Sequence, residues 1–134
     1  MEPLNDNILI PISPGELLDK ITILEIKSER IDSAEKKAHV NKELAMLNTV
    51  WCDSVVEDAG LAAMRGELKS INESLWVIED DIRDEERNKQ FGDRFVELAR
   101  NVYITNDQRA DVKKRVNLHL NSEIVEEKSY QEYT

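Results

Sequence analysis

From residue 14 to residue 120 the apolar positions recur every three or four residues, the period of an α-helix that buries one face. Leu17, Ile21, Leu24, Ser28 and Ile31 share one line on the first stretch. Val40, Leu44, Leu47 and Val50 or Trp51 form a second line, and Leu61, Met64, Leu68, Ile71, Leu75, Ile78 and Ile82 a third. The punctuation sets the helix ends. In "SPGE" Ser13 is placed to cap, Pro14 suits the first helical position, and Glu16 sits where a capping box needs it. The pattern predicts helices over 14–32 and 33–51, with "DSAE" at 32–35 as a fresh cap between them. A connection ending at Gly60 leads to a long helix over 61–89, then a shorter one over 91–104. The last helix, over 105–120, restarts at "TND" with Asn106 or Asp107 as its cap. "NILIPIS" at 7–13 alternates Ile8, Ile10 and Ile12 and reads as an edge strand or extended arm, because Pro11 removes a ladder donor. Ile124 and Val125 in the tail are candidates to pair with it. The expected architecture is all-α, an antiparallel bundle of about five helices with short extended N- and C-terminal segments. Residues 1–134 form a single helical domain. A helix as long as 61–89, apolar along its whole length, leads us to expect a homodimer.

Composition narrows the function classes. Charged residues make up 34% of the chain, hydrophobic residues 40% and aromatic residues 5%, as in a charge-rich helical protein. The net charge of −10 argues against direct nucleic-acid binding, which draws its affinity from Lys and Arg. Cys52 is the single cysteine, so no intramolecular disulfide forms and a reducing compartment is expected. No secretory signal is visible, and no apolar run reaches the roughly 18 residues a membrane span needs, so no membrane partner is expected. The cytoplasm is the expected location.

The polar residues on apolar faces carry the candidate chemistry. Each residue turns about 100° around a helix. Glu25, Glu29 and Asp32 then stack at i, i+4 and i+7 along the border of the first apolar line. Glu79 falls between Leu68 and Leu75, Glu86 prolongs that face, and Asn72, Trp76 and Arg83 lie beside it. Carboxylates gathered in a partly buried place stay ionised only beside cations. Mg²⁺ is the candidate cofactor, since it takes a few carboxylates together with substrate phosphates. In the bland alternative Glu79 and Arg83 form an ordinary i, i+4 ion pair and the other acids sit at a solvated rim. A second constellation is basic. Arg109 and Lys113 lie one turn apart and, with Arg83, make a candidate anion clamp, because a guanidinium binds phosphate or carboxylate bidentately. Acids for a metal and bases for an anion would together fit a phosphorylated small molecule. His39 and His119 stand alone, without metal-ligand spacing. Cys52, Trp51 and Trp76 read as packing residues. No glycine-rich phosphate loop, nucleophile elbow or zinc signature occurs.

At "IPISPGELLDKITILEIKSERI", "LWVIEDDIR" and "VYITNDQRADVKKRVN…SEIVEEKSY" the chain resembles a small family found in bacteria and phages and known only as a domain of unknown function. That resemblance implies a shared fold and no particular activity. A looser similarity is to the all-α nucleoside triphosphate pyrophosphohydrolases, which hold Mg²⁺ with Glu-x-x-Glu and Glu-x-x-Asp pairs. Glu29 and Asp32 keep that spacing with a different residue pair. Glu79 has Ile82 where the motif has Asp, and Asp81 and Asp84 point away from the apolar line. The helical chorismate mutases are a third analogy through the first helix, which here carries mainly acids inward. Three functions follow as expectations: a dimeric binding or interaction module, a Mg²⁺-dependent hydrolase of nucleotides or another phosphorylated molecule, and an acidic decoy for a nucleic-acid-binding protein.

Overall fold

The structure, a computed structural model, describes residues 7–133. Four helices form among these residues: α1 (Pro14–Arg30), α2 (Ala34–Ser54), α3 (Ala59–Arg87) and α4 (Asp93–His119). Three of the helix starts are capped as their sequences dictate. Ser13 Oγ accepts from the Glu16 amide at 3.2 Å, Ser33 Oγ from the Lys36 amide at 3.3 Å, and Asp58 Oδ1 from the Leu61 amide at 2.7 Å. Glu16 does not fold back into a capping box; its carboxylate reaches Lys113 of α4 instead.

The chain folds as an all-helical bundle, with four helices where five were expected. α4 runs unbroken through "TND". Asn and Asp cost a helix interior only a few tenths of a kcal/mol relative to better formers. With no Gly or Pro to force a departure, the backbone continues, and Asp107 finds a partner in Lys128 rather than in its own backbone. The two ends are extended, but no strand forms among the described residues, and Ile124 and Val125 do not pair with residues 8–12. Ile8, Leu9 and Ile10 project into solvent.

α1 lies at the centre and packs against all three other helices, while α3 and α4 form a long hairpin. Leu17, Leu18 and Ile21 of α1 meet Trp51 of α2, Leu61 and Leu68 of α3, and Val112 and Val116 of α4 in one core. α1 approaches α4 closely at Gly15. A Cβ there would sit 2.9 Å from Asn117 Oδ1 and closer still to the Lys113 carbonyl oxygen, so only glycine fits without a backbone shift. The Gly15 amide donates to Asn117 Oδ1 at 2.7 Å, tying the start of α1 to the end of α4. This docking fixes which turns of α1 and α4 face each other, and the site lies one turn further along.

Candidate functional site

Asp19 and Thr22 are three residues apart and share a face of α1, turned between α3 and α4. Both are buried, Asp19 to 1% exposure. Asn72 of α3 donates from Nδ2 to Asp19 Oδ1 at 3.0 Å and to Thr22 Oγ1 at 3.1 Å. The Thr22 hydroxyl donates to the Asp19 carbonyl at 2.9 Å. Arg109 of α4 closes the network as a fork. Its Nε donates to Asp19 Oδ1 at 2.8 Å, and its Nη2 donates to Oδ2. These bonds with Asp19 are the main reason the guanidinium pKa lies above its ordinary value. Nη1 makes no hydrogen bond among the described residues, and the Arg109 side chain keeps 29% of its surface.

Lys113 follows one turn later and is also buried. Its Nζ lies 2.7 Å from Glu16 Oε2 and 2.9 Å from Glu126 Oε2. Burial alone would lower its pKa; the hydrogen bonds with Glu16 and Glu126 outweigh that and hold the ammonium above its ordinary value.

Grooves open on both sides of Arg109. The first, of about 630 Å³, lies along α4 beneath the C-terminal segment and is lined by Glu16, Arg109, Lys113 and Glu126 together with Tyr103, Tyr130 and Tyr133. Those are all 3 tyrosines of the chain. The second, of about 450 Å³, has Ile23, Ile26, Leu75 and Trp76 among its walls, with Glu79 and Arg83. Asn106 and Arg109 border both grooves.

The three expected cations are therefore split between adjoining grooves, Lys113 in the first and Arg83 in the second, with Arg109 in each. The five expected acids do not gather in one place, although Glu25 and Glu29 share Lys69. Glu25 lies 3.0 Å from Arg65 and 3.7 Å from Lys69, and Glu29 lies 2.6 Å from Lys69. These α3 cations, 14 and 10 residues before Glu79 on the same helix, hold both acids roughly 15–21 Å along its axis from Glu79. α1 ends at Arg30, so Asp32 leaves the helical register that stacked it on Glu29. Glu79 has a side chain 46% exposed and lies 3.4 Å from Arg83, while Glu86 is exposed near the end of α3. Among the described residues no three His, Cys, Asp or Glu side chains converge as a metal site.

Asp19, Thr22, Glu16 and Glu126 are the site residues that helical periodicity did not single out. α1 carried the missing signal. Ile23 and Ile26 lie off the Leu17–Ile21–Leu24 line, so the helix is apolar nearly all round, the mark of a helix enclosed by neighbours. Polar residues on such a helix are buried, and buried polar groups need partners.

Fold and site together define a small helical bundle in which a buried Asp–Asn–Thr cluster holds the half-buried Arg109 beside an amphoteric groove. The chain belongs to the Family of unknown function (DUF6165), which it matches over residues 8–133. No curated protein and no solved structure matches it.

Proposed function

We propose that the protein is a binding module that receives the anionic group of a ligand, a carboxylate or phosphate, on Arg109 and Lys113. One observation carries the reading: Arg109 spends Nε and Nη2 on a buried carboxylate, leaves Nη1 without a hydrogen bond among the described residues, and borders two grooves. A cation whose orientation is locked by buried partners is prepared for recognition, because little freedom remains to be lost on binding. Lys113 adds a second positive group one turn away, in a groove large enough for a small organic ion. Self-association belongs to the same proposal, since α3, α4 and the turn joining them expose Val77, Val96 and Phe91; sedimentation velocity reads the dimer directly.

The test is a thermal-shift and calorimetry screen of the full chain against phosphate, pyrophosphate, nucleotides and di- and tricarboxylates, with and without Mg²⁺. A ligand at a hundredfold excess over its Kd stabilises the fold by about 2.7 kcal/mol, a shift of several degrees at this size. Lys113→Gln weakens the response. Absence of a shift with every anion refutes the binding reading. A Mg²⁺-dependent shift abolished by Glu79→Gln would favour the hydrolase over it.

A further inference from the structure

The C-terminal segment is the most informative neighbour of the groove. α4 ends in a turn in which Asn121 takes a positive φ of 53° and the Ser122 amide donates to the Asn117 carbonyl at 2.9 Å. From there residues 123–133 run extended back along α4. Beyond Ser122 no backbone hydrogen bond joins this strap to a helix among the described residues. Side chains hold it. Glu126 reaches Lys113 at 2.9 Å, Glu127 reaches Lys114 at 3.7 Å, Lys128 pairs with Asp107, and the Tyr133 ring meets Tyr103 edge-on at 5.4 Å. None of these strap residues enters the core. Apart from Glu126 on buried Lys113, these ion pairs are surface pairs of the kind that contribute little to stability.

The pattern is that of a peptide lying in a recognition groove: consecutive carboxylates on consecutive lysines, then an aromatic ring on a tyrosine about 15 Å further along the helix axis. We infer that the ligand of the groove is an extended acidic peptide segment, and that residues 123–133 are the resident copy that a partner's segment displaces. This rests on the anion-binding reading of Arg109 and Lys113 and names the ligand class for it. Glu126 supplies the carboxylate that an incoming segment must replace. Arg109 Nη1, which the strap leaves unused, is the donor such a segment gains.

The experiment uses a fluorescently labelled peptide of residues 122–134, titrated by anisotropy against two full-length proteins, the wild type and the Glu126→Gln, Glu127→Gln variant. Both substitutions are on exposed residues, so the fold is retained. The variant loosens the resident strap and binds the peptide about tenfold more tightly than the wild type, the scale of one groove charge pair. A peptide carrying the same two substitutions loses binding. Equal binding to both proteins, no binding to either, or undiminished binding of the substituted peptide overturns the inference. A thermal shift of the variant with phosphate or citrate, without peptide binding, would remove the peptide and leave the anion site standing. Silence in both assays would remove both.

Discussion

Asp19→Asn is the sharpest probe of the network behind the site. The substitution keeps the shape of the side chain and removes its charge. Asp19 accepts from Arg109 through both oxygens and from Asn72 through Oδ1. In either orientation of the new amide, its NH2 group faces a donor, Nη2 of Arg109 on one side or Nε and Asn72 Nδ2 on the other. At least one charge-assisted bond is lost, about 1.5–3 kcal/mol, and Arg109 is left without its counter-ion. Breaking a fully buried pair costs about 3–5 kcal/mol. Arg109 retains 29% of its side-chain surface, so water offsets part of that cost. The expected loss is about 3 kcal/mol, or roughly 9 °C in Tm for a domain of this size. Urea unfolding followed by circular dichroism measures it, with the m-value unchanged if only stability has moved. The double variant Asp19→Asn, Arg109→Gln recovers at least half of the loss, because two neutral side chains can bridge each other. A loss below about 1 kcal/mol, or no recovery in the double variant, would show that the pair does not carry the energy assigned to it.

Gly15→Ala drives a methyl group against the Lys113 carbonyl and Asn117 Oδ1, so it destabilises by about 1–3 kcal/mol in urea unfolding and loosens the strap with Lys113. Arg83→Gln removes only an exposed i, i+4 pair with Glu79 and costs under about 0.5 kcal/mol, so any larger effect on anion binding reports a ligand contact. Asp58 has its pKa held below the ordinary carboxylate value, first by the Leu61 amide it caps and then by His119. A depressed folded pKa gives stability that is present above the unfolded pKa, about 3.9, and is lost as pH falls through the folded value. Asp58→Asn keeps the cap acceptor and titrates nothing, so its stability falls less steeply than the wild type below about pH 4 in acid unfolding followed by circular dichroism.

Much of the architecture was legible because helix ends and apolar lines are local properties. Ser13-Pro14 and Ser33 mark their helix starts, and Gly60 lies within two residues of the start of α3. No helix start forms at Asn106 or Asp107, because cap-forming residues also serve as tertiary partners, and only the packed structure decides between the two uses. Arg109 and Lys113 were legible as cations one turn apart. Their partners were not, since Asp19 lies 90 residues from Arg109 along the chain and no local period links them. The partners of the inward acids were hidden for a related reason. A wheel gives the direction of Glu25 and Glu29, but it cannot show that Arg65 and Lys69 of α3 arrive to neutralise them.

The tie between Gly15 and Asn117 spans 102 residues. α1, apolar nearly all round, emerges from a ribosome before α4, and its seat against α4 exists only after that helix has been made. Contacts this distant in sequence close late and slow folding. At about 5–20 residues per second, the nascent chain carries α1 with its α4-facing side uncovered for several seconds, a window in which a chaperone, or the matching helix of a neighbouring nascent chain, competes with the native partner.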